Sequence, residues 1–211
     1  MTLMKRASKV LFTASATAAM VGLAAAPALA ATTLTVKVTG GGTYTASSSK
    51  TVLSDNGVNV TCTGSSGSGT IASATHKGTS PVKVGTVSKL SFSHCSGPLG
   101  AVTTKVMNLP YTVSADSKTT GSGATDAIIG GAKVAVSMTG CSFLVTGSTP
   151  GFYTNSSHKL SVTRKLPTKA LNTAKLTVSN VSGCAGLVSN GDHPSYTSTY
   201  TISRKIVIKS S

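Results

Sequence analysis

The sequence contains no glutamate and no tryptophan, and its only acids are the four aspartates Asp55, Asp116, Asp126 and Asp192. Without glutamate the chain lacks the side chain that most paired-carboxylate glycosidases use, and four aspartates furnish few sites for a hard divalent cation. Aromatic residues make up 4 % of the chain, so they are too sparse to interleave with basic residues as nucleic-acid readers do. After the first thirty residues no apolar run approaches the roughly 20 residues of a membrane-spanning helix. No window of a dozen residues there has helical periodicity. The G-x-S-x-G turn that exposes the nucleophile of α/β-hydrolases is also missing.

What is present is small, polar and basic. Glycine (22 residues), serine and threonine dominate, and the 39 % hydrophobic content leans on alanine and valine, which favours short, closely packed strands over helical cores. Lys5, Arg6 and Lys9 precede an apolar or small stretch from Val10 to Ala26, and Ala28-Leu29-Ala30 supplies the small-x-small pattern of a signal-peptidase site. Residues 1–30 therefore read as a secretory signal peptide, and 31–211 as a single exported domain. The run is interrupted by Ser15, Thr17, Gly22 and Pro27, which makes it a poor membrane anchor. The chain carries 19 Lys+Arg against four acids, a formal +15; removing the three basic signal residues leaves 16 against four, or +12.

Alternation of apolar and polar residues recurs along the exported part, as in Leu34-Thr-Val36-Lys-Val38, Val58-Asn-Val60-Thr-Cys62, Val134-Ala-Val136-Ser-Met138 and Tyr200-Thr-Ile202. Period two with β-branched residues is the strand signature. Turn chemistry separates the runs at Gly40-Gly41-Gly42, Asp55-Asn56-Gly57, Gly64 to Gly67, Ser96-Gly97-Pro98 and Asn190-Gly191-Asp192. Ser73–Ser80 and Ser117–Thr125 read as loops. The expected fold is all-β, an antiparallel β-sandwich or barrel-like arrangement of about a dozen strands. An internal echo links Lys89-Leu-Ser-Phe-Ser to Lys175-Leu-Thr-Val-Ser, and Val58-Asn-Val-Thr to Val134-Ala-Val-Ser. It suggests two degenerate halves, 31–120 and 121–211; the alternative is that Ser/Thr/Val strands simply look alike.

Four cysteines, Cys62, Cys95, Cys141 and Cys184, are spaced by 33, 46 and 43 residues. The even count in an exported chain favours two disulfides, and the absence of close C-x-x-C pairs argues against zinc. Three connectivities are open; the two-halves pattern favours Cys62–Cys95 with Cys141–Cys184. No metal and no cofactor are expected.

The run Val38-Thr-Gly-Gly-Gly-Thr-Tyr-Thr-Ala46, the segment Leu90-Ser-Phe-Ser-His-Cys95-Ser-Gly-Pro-Leu-Gly100, Asn108-Leu-Pro-Tyr111 and Val181-Ser-Gly-Cys184-Ala-Gly-Leu187 resemble the small secreted Ser/Thr/Gly-rich four-cysteine proteins of actinobacteria such as streptomycetes. The resemblance spans most of the exported chain and implies an extracellular protein, in a group most of whose members have no assigned function. A cholesterol-esterase association also comes with it. Tyr111 stands where a tryptophan is expected after Leu-Pro in such proteins.

Two sets of residues carry candidate chemistry. Asp192 and His193, adjacent in an Asn-Gly-Asp-His-Pro loop, offer an Asp-His pair that a serine from elsewhere would complete as a hydrolase; the alternative is a turn in which Asp192 bonds its own nearby backbone. The second set is Arg164, Lys165, Lys169, Lys175, Arg204, Lys205 and Lys209, the densest part of a dispersed, lysine-rich positive charge. Such charge attracts polyanions and is weakened by salt, whereas base readout favours arginine forks, and only Arg164 and Arg204 are present in the exported part. Lysines also serve solubility and guard edge strands. The expected function is therefore a secreted, non-catalytic β protein that binds or decorates the cell envelope or another anionic extracellular surface. Its expected partner is an anionic cell-wall polymer, a lipid headgroup or a secreted protein, and not sequence-specific nucleic acid. The alternative is a secreted, cholesterol-esterase-like lipid-ester hydrolase of unfamiliar architecture.

Overall fold

Alternating β-branched residues and glycine-rich turns build fourteen strands and no helix in the computed structural model, which describes residues 33–168 and 174–211. The signal peptide read at 1–30 and the basic residue Lys169 lie outside the described residues. In chain order the strands are β1 (Thr33–Thr39), β2 (Gly42–Ser48), β3 (Thr51–Asp55), β4 (Val58–Ile71), β5 (Thr75–Thr79), β6 (Val82–Gly97) and β7 (Gly100–Val106). There follow β8 (Tyr111–Ala115), β9 (Ala124–Met138), β10 (Cys141–Thr154), β11 (Lys159–Val162), β12 (Leu176–Ser182), β13 (Ser195–Ile202) and β14 (Val207–Ser210). All their pairings are antiparallel. The all-β, barrel-like class and both disulfides, Cys62–Cys95 and Cys141–Cys184, are as the sequence predicts.

Four long strands organise the fold, because each serves two levels. β4 pairs with β3 through Val58–Cys62 and with β2 through Ser65–Ile71. β6 pairs with β8 at its start and β7 at its end. β9 likewise divides between β8 and β7, and β10 between β12 and β11. Register shifts opposite Ser68/Gly69 of β4 and Gly147/Ser148 of β10 leave Ser88 of β6 and Gly131 of β9 as extra residues and bend the strands there, as an extra residue on one side of a ladder does. The Gly64–Gly67 stretch, expected as a turn, is therefore the middle of β4.

At the first level the ladder β2–β4–β6–β8–β9–β10–β11–β13–β2 closes into an eight-stranded ring. A separate three-stranded sheet, β14–β1–β5, caps it: Leu34, Val36 and Val38 of β1 and Ile206 and Ile208 pack with Tyr44, Ile71, Val82, Val84, Tyr153 and Tyr200. Ser73–Ser80, expected as a loop, contributes β5 to this cap. Its Thr/His/Lys/Gly composition looks like a loop, yet its backbone satisfies the free edge of β1.

The second level, with β3, β7 and β12, holds the other cluster: Val60, Val102, Val136, Met138, Phe143, Val145, Leu176 and Val178 around both disulfides. Here β12 pairs with β10 alone among the strands. The seam between β12 and β3/β13 is bridged by the preceding loop, where Val178 N–H donates to Asp192 O and Gly191 N–H to Val178 O, each at 2.9 Å.

Between the two clusters a cavity of about 140 Å³ remains. Small inward residues, Ala46, Gly67 and Ala132, stand where larger ones would fill the ring, and Val87, Leu90, Phe92, Ile129 and Leu160 are half-buried because they border it.

Candidate functional site

Charge is sorted by burial. Every described lysine and arginine is exposed except the half-buried Lys133, whereas Asp126 is 0 % exposed and Asp55, Asp116 and Asp192 are half-buried. Three of the acids accept hydrogen bonds inside the fold. Asp126 accepts a hydrogen bond from the Thr168 hydroxyl, Asp116 one from Ser80 at 2.8 Å, and Asp192 one from the Ser189 N–H at 2.7 Å. Burial raises the Asp116 pKa, and Ser80 offsets part of that. The surface is thus left with positive charge and few exposed carboxylates to neutralise it.

The basic residues singled out in the sequence fall into two groups. Lys209 lies on β14, and Arg204 and Lys205 precede it; the Arg204 guanidinium donates from Nε to Gly40 O at 2.9 Å, so this group lies at the cap. Two further lysines join it through register. Lys37 on β1 stands directly opposite Lys209, and Lys77 on β5 pairs with Thr35, two residues along β1 from Lys37. Because Leu34, Val36 and Val38 face the core, strand alternation turns Lys37, Lys77, Lys209 and the threonines Thr33, Thr35, Thr39, Thr75 and Thr79 to the outer face. Like charges directly opposed across a ladder are destabilising. The other group, Arg164, Lys165 and Lys175, flanks β11 and β12, and Arg164 Nη2 donates to His193 O at 3.2 Å.

Asp192 and His193 sit in the seam. The His193 ring places Nδ1 3.0 Å from Leu176 O and 3.4 Å from Thr177 Oγ1, so that nitrogen is held by β12 and not by Asp192. The carboxyl neighbour of Asp192 is instead Asp55, at the end of β3. Burial, and after it the Asp192 carboxyl, push the Asp55 pKa up from 3.8 to about 6, with His193 acting in the opposite direction. Asp55 Oδ2 is buried without a hydrogen-bond partner. Sequence reasoning missed this carboxyl pair, because Asp55 reads as the first residue of an Asp-Asn-Gly turn. A hydrolase would need a seryl hydroxyl at the other ring nitrogen of His193; among the described residues the hydroxyl beside the ring is that of Thr177. His158 Nδ1 lies 3.2 Å from the Tyr153 hydroxyl, His76 Nε2 lies 3.4 Å from Ala72 O, and His94 is exposed on β6. No group of three or more His, Cys, Asp or Glu side chains suited to a metal ion occurs among the described residues, and no described helix is long and apolar enough to cross a membrane.

Fold and surface together define a disulfide-stapled, two-level β-barrel-like protein with a basic outer face. No protein-family model matches the chain, and neither the curated proteins nor the solved structures contain a match to it.

Proposed function

We propose that the protein is an exported, non-catalytic binder of an anionic polymer of the cell envelope, held by the outer face of the β14–β1–β5 cap. The sorting of charge by burial carries this reading: four acids withdrawn into internal hydrogen bonds or carboxyl pairing, and lysines left on a threonine-rich sheet face. The Lys37–Lys209 pair adds to it, since two ammonium groups placed opposite each other repel in the free protein and are relieved when a polyanion lies across both. Lysines suit a polymer of point charges, whereas bidentate recognition of individual groups favours arginine. Export, and kinship with the secreted four-cysteine proteins of actinobacteria, belong to the same proposal.

Incubation of the purified protein with isolated cell wall tests it. Retention is expected at low salt and release at about 0.5 M, where the Debye length has fallen to a few Å. The double variant Lys37→Gln/Lys209→Gln should lose most of the retention while unfolding at a slightly higher temperature, because the removed repulsion costs about 0.2–1 kcal/mol. No retention of the unaltered protein at low salt would refute the proposal.

A further inference from the structure

Every strand of the eight-stranded ring contributes to the wall of the chamber between the two levels, from Ala46 of β2 and Gly67 of β4 round to Tyr200 of β13. The space is therefore the interior of the ring and not a dent in its surface. Four tyrosines reach it, and each spends its hydroxyl on the protein. Tyr44 donates to Thr86 O at 3.1 Å and Tyr111 to Lys133 O at 2.7 Å; Tyr196 and Tyr200 bond each other at 2.5 Å, and Ser65 donates to Tyr200 at 3.1 Å. The accessible lining is in consequence almost wholly carbon. The ladder has a gap at this wall. β6 and the chain 103–110 part after the Cys95–Val102 pair and rejoin at Val87–Tyr111. Between those points Lys89–Ser93 of β6 pair with β4 and, among the described residues, with no strand on the other side. Alternation leaves Lys89, Ser91 and Ser93 exposed, whereas Leu90 and Phe92, with Thr104 of β7 across the gap, line the chamber and are half-buried.

We infer that the chamber is a binding site for a small hydrocarbon-like molecule, about one ring in size and without hydrogen-bonding groups, admitted through the gap between β6 and β7. Size, wall chemistry and access each bear on this. An eight-stranded ring has an interior that side chains either fill or leave open for one small ligand, and here alanine and glycine leave it open. An apolar cavity of about 150 Å³ stays dry and accepts a benzene-sized guest; 140 Å³ is close to that and well below the roughly 300–1,000 Å³ of drug-sized sites. With the tyrosine hydroxyls already bonded, a guest that carries a polar group sheds its water and gains no partner, which selects against it. The unpaired stretch of β6 sets the access, because strands that share no ladder can separate without breaking one. The inference is independent of the anionic-surface reading, since the chamber uses none of the basic residues of the β14–β1–β5 face.

Titration of the purified protein with benzene and with phenol, followed by calorimetry and by methyl NMR, tests this. Benzene is expected to bind one-to-one, to raise the melting temperature as any ligand of the folded state does, and to shift the methyl signals of Val87, Leu90, Ile129 and Leu160 at the chamber wall. Phenol, of nearly the same shape, should bind at least fivefold more weakly, the cost of leaving its hydroxyl without a partner. Ala132→Leu should abolish benzene binding by filling the space. Should that variant fail to fold, the methyl shifts of the unaltered protein locate the guest by themselves. Absence of saturable benzene binding, phenol binding as tight as benzene, or shifts confined to the exposed Leu99 and other surface methyls would overturn the inference.

Discussion

At the scale of single residues, space and solvation set the consequences. Gly69 of β4 stands opposite the bulge in β6, where an added Cβ would fall onto the Thr86 carbonyl and lie 2.9 Å from the Tyr44 hydroxyl; that hydroxyl itself donates to Thr86 O. Gly69→Ala is expected to cost about 1–3 kcal/mol in urea unfolding, because backbone and not a flexible side-chain tip must yield. Gly121→Ala, in an open loop with nothing within 4 Å, should stay within about 0.5 kcal/mol of the parent. Asp55 makes the protein respond to acid in an unusual direction. Its folded pKa of about 6 lies above its ordinary value of 3.8, so the folded state holds a proton that the unfolded chain releases. The stabilisation from this group is complete below about pH 4 and is lost as the pH rises through about 6. Asp55→Asn should therefore match the parent in melting temperature near pH 4 and exceed it near pH 7; a variant that is less stable at pH 7 would show that the carboxylate is required there.

At the scale of elements, short-range chemistry explains the hairpins. Asn56 and Gly57 both have positive φ, 45° and 87°, the pairing that a two-residue turn between twisted strands requires, so the β3–β4 connection is visible in the sequence. The long strands are less visible. Gly64 to Gly69 reads as a flexible turn, yet β4 runs through it because β2 and β6 satisfy its backbone on both sides. The cysteines, by contrast, were legible in number and pairing. They close loops of 33 and 43 residues, and both bonds lie in the cluster of the second level. Replacing either pair by serine should cost roughly 3.5–4 kcal/mol on the chain-entropy model. Hydrogen exchange should then show protection falling first in β3, β7 and β12, with the β14–β1–β5 cap retaining its own, since local opening follows local packing.

At the scale of the molecule, charge and interior volume both follow from a chain poor in acids and in large side chains. Composition alone set the excess of basic residues, and alternation set the all-β class, because a period of two leaves no amphipathic helix to form. The candidate basic residues were likewise legible as residues, and Asp192 and His193 as neighbours in one loop. Which of them meet was not legible. Lys37 opposes Lys209, Asp55 meets Asp192, and Thr51 opposes Ser198 only because strands distant in sequence pair in a particular register. The sequence by itself determined the all-β class, the even cysteine count and the excess of basic over acidic residues, all consequences of local pattern and composition. Tertiary structure alone decided that the ring closes through β9–β10, that Asp126 is buried while the other three acids are half-buried, and that alanine and glycine line an unfilled interior. Those outcomes depend on long-range pairing, and a side chain's exposure or the volume of a cavity is a property of all the strands around it.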